Sequence, residues 1–213
     1  MVKTLGIEES NAFLLLNATA GEMIQEIDRI SRLSEKFGPD AEIMFYYAGH
    51  GYPDEKSKVP YLIPVDINAA NLSAGIKLSD LCSKLALSGA KRVTIFLDAC
   101  FSGGGRASGL LSDARLVKTK PKIGGLEGNI VVFAATTDEQ SALSLNQEQH
   151  GLFTYFLLKK IQETSGKVGY GVLFDYLKRN VSIESLRANK KEQEPSIMVS
   201  PTIQNDWENW FLR

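Results

Sequence analysis

The sequence predicts an α/β fold: a mainly parallel sheet of about six strands sandwiched between helices on both faces. Three observations carry that expectation. The runs Ile43–Tyr47, Val93–Leu97 and Ile130–Ala135 are apolar and of strand length. Between such runs lie amphipathic stretches of helical period. Glycines follow the first two runs almost at once, as loops at the rim of a sheet require. At 213 residues the chain is one domain of generous size, able to bury ~70% of its unfolded surface without a metal or disulfide staple.

The elements follow in order. Ala12–Leu16 (AFLLL) reads as a short buried strand, and Thr19 with Glu22 forms a capping box after it. Met23, Ile24, Ile27, Ile30 and Leu33 then make a helical stripe that Phe37-Gly38-Pro39-Asp40 closes. Ile43–Tyr47 is the next strand. Tyr61–Val65 carries Pro64 and reads as an edge or irregular strand. Leu78–Leu87 is a short amphipathic helix with Ser79 or Asp80 near its start. Val93–Leu97 runs into Asp98-Ala99-Cys100. After Ile130–Ala135 come helices around Leu152–Glu163 and Val172–Val181, then a strand near Ile197–Val199. Trp207 and Trp210 anchor the terminal segment to the core.

Composition excludes several function classes. With 24 basic and 25 acidic residues the net charge is −1, unlike a nucleic-acid-coating or polybasic membrane protein. No apolar run approaches the ~20 residues of a bilayer span, and Glu8 and Glu9 break any signal-peptide pattern. A cytoplasmic location follows, and the sequons at Asn17, Asn71 and Asn180 are chance matches. Two cysteines, Cys82 and Cys100, fit a reducing interior. The segment 101–128 differs from the rest: seven glycines and Arg106, Arg115, Lys118, Lys120 and Lys122 stand against only Asp113 and Glu127. A structureless loop of that length is functional or disordered.

Chemistry concentrates at two strand ends. His50 lies in Tyr46–Gly51 (YYAGHG) and Cys100 in Asp98–Gly103 (DACFSG), 50 residues apart. In open α/β sheets the crevice at the carboxyl ends of the strands binds ligands. Two adjacent parallel strands would set imidazole and thiol at one rim, and a thiol needs such a base to act as a nucleophile. Gly51 lets an amide approach a substrate carbonyl, forming with the Cys100 amide an oxyanion hole. Cys82 sits on the apolar stripe with Leu78, Leu81 and Leu85 and reads as packing. His150 has no such companion and reads as a helix-entry residue.

The two blocks, with Tyr61–Asp66 (YLIPVD) and His150–Leu157 (HGLFTYFL), resemble the caspase superfamily, in its metacaspase, paracaspase and bacterial caspase-like branch. The resemblance runs from about Gly6 to Pro201, and the His–Cys spacing is similar to the ~50 residues known in caspases. It implies a cysteine endopeptidase with His50 and Cys100 as dyad and the Gly51 and Cys100 amides holding the oxyanion. It implies that Asp98 lies at the base of the pocket for the residue before the cut, favouring Arg or Lys. Ala135, Thr136 and Asp138 follow the next strand and line that pocket, with Asp138 or Glu139 as a second carboxylate. The larger-subunit-like part is about 1–105, the basic Gly-rich loop about 103–128, and the smaller part about 129–213.

The pocket and the loop together predict self-cleavage at Arg106, Arg115, Lys118, Lys120 or Lys122. The family's usual first strand and helix have no counterpart before Leu5-Gly6-Ile7, so an N-terminal fragment or a regulatory partner would complete the pocket. Phe101 stands where metacaspases commonly have His, a non-catalytic position. No cofactor is expected and no metal ligands are visible; no Asp cluster resembles a calcium site, and calcium activation is left open. The partners expected are proteins or peptides with Arg or Lys before the cut, without nucleic acid or membrane. The alternatives are a catalytically silent caspase-like scaffold or adaptor, and an acyltransferase using the same dyad.

Overall fold

A computed structural model describes residues 1–54, 56–101, 125–136, 144–145, 150–190 and 192–213. In chain order these form α1 (Val2–Leu5), α2 (Ala20–Phe37), β1 (Glu42–Ala48), β2 (His50–Pro53), β3 (Pro60–Ile63) and β4 (Ile76–Lys77). Then come α3 (Leu78–Ala86), β5 (Arg92–Asp98), β6 (Ile130–Ala134), β7 (Ser144–Leu145) and β8 (His150–Gly151). The chain finishes with α4 (Leu152–Glu163), α5 (Tyr170–Asn189) and β9 (Ser196–Val199).

The central sheet has the order β1-β5-β6-β9, parallel except for β9. Every residue of β6, and all of β5 after Arg92, is buried, because both faces of these strands are covered. Alternation along β5 feeds two cores. Ile95 and Leu97 pack with Ile43, Leu81, Cys82 and Met23 under α2 and α3. Phe96 packs with Phe133, Leu157 and Leu173 under α4 and α5. Helices thus lie on both faces, as the sequence predicts.

The capping box at the start of α2 is present, with Thr19 Oγ1 accepting from the Glu22 amide at 3.3 Å and Glu22 Oε2 accepting from the Thr19 amide at 2.8 Å. Pro64 stops β3 at Ile63, since a proline offers the ladder no donor. Trp207 is buried in the core under α5, and Trp210 meets the Tyr170 ring edge-on at 5.9 Å. Cys82 is 2% exposed, and burial pushes its thiol pKa up to about 12.

Three expectations need correction. The central sheet has four strands among the described residues, not about six. Ala12–Leu16 forms no strand: Leu14 and Leu16 are 80% and 77% exposed, and the Phe13 ring lies 4.0 Å from the Arg29 guanidinium. An apolar run becomes a strand only where a ladder partner accepts it, and the described sheet gives this one none. At α3 the N-cap is Lys77, with no side-chain cap from Ser79 or Asp80; Asp80 instead pairs with Lys77 at 3.1 Å.

Phe133 shows how the site is held from below. It is fully buried, stacked on Phe96 at 5.1 Å and edge-on to Tyr170 at 5.6 Å. Phe133→Ala is expected to cost about 3–5 kcal/mol of stability, read as a shifted denaturation midpoint at unchanged slope.

Candidate active site

β1 and β5 run in parallel register from Glu42 beside Arg92 to Ala48 beside Asp98. Both strands therefore end at one level. The ladder extends one bond further, from the Gly49 amide to the Asp98 carbonyl at 3.3 Å. The chain bends at Gly49, and His50 opens β2, which pairs with β3 through His50–Ile63 and Gly51–Leu62.

Two glycines make this turn possible by their size. A Cβ on Gly49 would lie 2.5 Å from the Tyr47 hydroxyl oxygen. A Cβ on Gly51 would lie 2.7 Å from the Cys100 carbonyl oxygen and 2.6 Å from the Phe101 ring. The backbone after His50 is thus packed directly onto Cys100–Phe101. His50 is half-buried; Cys100 is 5% exposed at the margin of the core under α4. The structure sets Gly51, the residue after His50, against Cys100 beyond neighbouring strand ends.

Tyr47 was not singled out by the sequence. It precedes the turn by one residue, and its one hydroxyl proton is shared between the His50 carbonyl at 2.8 Å, the shorter contact, and the Ile63 carbonyl at 3.1 Å. Burial pushes its phenol up to about 12, so it stays a donor at any ordinary pH. The local signal was present: an aromatic side chain two residues before a glycine can fold back over it.

Asp98 is 1% exposed on the α4 side of the sheet. A carboxylate so placed needs hydrogen bonds, and Thr154 Oγ1 donates one at 2.5 Å. Because that proton points at Asp98, the Tyr46 hydroxyl, 2.7 Å from Thr154 Oγ1, is the donor in the next link. Strand β1, helix α4 and strand β5 thus meet in one chain of hydrogen bonds. Thr154 lies in the first turn of α4, where the helix dipole favours negative charge. Nothing local in the sequence marks it.

Ala135 and Thr136 continue β6 and are both buried. The Ala135 methyl packs in the core, its amide donates to Leu97 at 2.8 Å, and its carbonyl accepts from Gln193 Nε2 at 3.0 Å. The Thr136 carbonyl accepts from Ser196 Oγ at 2.9 Å. Asp138 and Glu139 lie outside the described residues, as do Arg106, Arg115, Lys118, Lys120 and Lys122. His150 begins β8, two residues before α4. Among the described residues no group of three or more His, Cys, Asp or Glu could hold a metal ion. No described helix is long and apolar enough to cross a membrane.

The sequence matches the caspase-domain model of the C14 peptidases over residues 2–205. The chain belongs to the caspase-domain family of cysteine peptidases. Two solved structures show the same fold. One is protein GSU0716 of Geobacter sulfurreducens, 17% identical, with a TM-score of 0.57 over 88% of this chain and 76% of that one. The other is caspase-1 of Spodoptera frugiperda, 15% identical, with a TM-score of 0.61 over 93% of this chain and 73% of that one. No curated protein sequence matches.

Proposed function

We propose that the protein is a cysteine endopeptidase that cuts after Arg or Lys, using Cys100 as nucleophile and His50 as base. The close approach of Gly51 to Cys100 and Phe101 supports this reading, since Gly51 directly follows His50 in the chain. His50 takes the thiol proton as Cys100 Sγ adds to the scissile carbonyl carbon. The developing oxyanion is met by the Gly51 and Cys100 amides. The C–N bond breaks as His50 returns the proton to the leaving amine, leaving a thioester. Water, deprotonated by His50, adds to that thioester; the thiolate leaves and the new carboxylic acid is released.

Asp98 supplies the preference. Its carboxylate, oriented by Thr154, attracts a guanidinium or ammonium and repels an acidic side chain. In this reading the basic stretch at about 103–128 divides a larger-subunit-like part from a smaller one, and its arginines and lysines match the preference assigned to Asp98. The protein therefore processes itself there.

The test is a set of fluorogenic peptides carrying Arg, Lys or Asp before the leaving group, with and without calcium. Turnover of the Arg and Lys peptides but not the Asp peptide is expected. No turnover of any would leave the fold as a silent scaffold. Asp98→Asn keeps the shape and removes the charge. It is expected to lower kcat/KM for the Arg peptide about 100-fold, the worth of ~2.7 kcal/mol of charge pairing. A preference for Arg that survives in Asp98→Asn would remove Asp98 from the pocket.

A further inference from the structure

The geometry points to Tyr47 as the positioning residue that aims the oxyanion-binding amide of Gly51. The inference rests on the peptidase reading above and adds a residue to it. Tyr47 donates to the carbonyl of His50 at 2.8 Å, and that carbonyl belongs to the same peptide unit as the Gly51 N–H. The unit is planar and trans, so fixing one end fixes the other, and the N–H points away from the hydroxyl that holds the C=O. The same proton is shared, at 3.1 Å, with the Ile63 carbonyl, which sets the hydroxyl against β3 as well. The peptide cannot swing without breaking a link between β2 and its sheet partner.

Two further contacts close off alternative positions. On one side the Tyr47 ring lies so near Gly49 that no Cβ fits between them. On the other, the Phe101 ring and the Cys100 carbonyl press against Gly51. Phe101 is 7% exposed and packs in the core under α2 and α3, so it has little room to retreat. The His50–Gly51 peptide is therefore gripped by a hydrogen bond at its carbonyl and by an aromatic wall at its glycine. An oxyanion donor is useful only if it is preorganised, since an amide that must reorient during the reaction gives up part of its stabilisation.

Tyr47→Phe keeps the ring over Gly49 and deletes only the hydroxyl. It is expected to lower kcat for an Arg peptide about 10-fold or more, with KM within about twofold of the wild type. Alkylation of Cys100 by iodoacetamide, which develops no oxyanion at the amides, should keep its wild-type rate and pH dependence. Should Tyr47→Phe fail to fold, 3,5-difluorotyrosine at position 47 serves instead. Its more acidic phenol loses the donor earlier, and kcat should fall at a lower pH than in the wild type. A kcat within twofold of the wild type in Tyr47→Phe, or for difluorotyrosine a pH profile like the wild type's, would overturn the inference alone. So would a parallel fall in kcat and in Cys100 alkylation, which would place the effect on the base. Absence of hydrolysis by the wild type would overturn the peptidase reading and this inference with it.

Discussion

Cys100→Ala is expected to lose about 10⁴-fold or more in turnover of an Arg peptide, down to what binding and oxyanion donors supply alone. The variant should still fold. Cys100 contributes one small side chain to a core that also holds Phe96, Phe133, Leu152 and Phe153, and losing its sulfur costs only about 1 kcal/mol. Loss of activity without loss of the thermal transition would therefore be chemical in origin. On a denaturing gel the wild type should resolve into a larger and a smaller piece, cut at Arg106, Arg115, Lys118, Lys120 or Lys122. Cys100→Ala should stay whole. Identical single bands for both, with and without calcium, would sink self-processing. Residual turnover in the variant could not be assigned to Cys82, whose thiol is buried with its pKa at about 12.

Gly51→Ala is the second large expected effect, and its cause is space. Gly51 is not among the positive-φ residues, so its backbone conformation alone would admit alanine. The added methyl, however, would sit 2.7 Å from the Cys100 carbonyl and 2.6 Å from the Phe101 ring. Neither neighbour yields easily: the carbonyl lies two residues past the end of β5 on a residue buried in the core, and the ring is buried. Relief requires moving the His50–Gly51 peptide away from Cys100. A strain of about 1–3 kcal/mol follows, with a fall of about 100-fold or more in kcat/KM as base and amide leave their positions. Kinetic constants and a melting curve on one preparation would check both. Wild-type kinetics in Gly51→Ala would mean that the turn is looser than its contacts imply.

The sequence made the central strands and the two rim residues legible because burial writes itself as hydrophobicity. Ile43–Tyr47, Val93–Leu97 and Ile130–Ala135 became β1, β5 and β6 with ends shifted by a residue or so. The α2 helix was readable from its cap, since Thr19 and Glu22 bond each other locally. The same logic failed at Ala12–Leu16, where apolar character met no ladder partner and the leucines stayed in solvent. It also passed over β2, a four-residue strand of His-Gly-Tyr-Pro with no period to detect. Thr154 and Gln193 were invisible for another reason. Their partners Asp98 and Ala135 lie 56 and 58 positions away in sequence, and such pairings leave no local trace.

The parallel register of β1 and β5 has a consequence for how this molecule can vary. Because Ala48 stands beside Asp98, the sheet itself measures the distance between the turn that carries His50 and the turn that carries Cys100. Deleting one residue from either strand would pull one turn back by about 3.3 Å and send that strand's side chains to the opposite faces. Insertions between β5 and β6, by contrast, leave the residue count within β1 and β5 untouched. Lineages of this chain should therefore vary in length between β5 and β6 while keeping the count of residues within β1 and β5 constant.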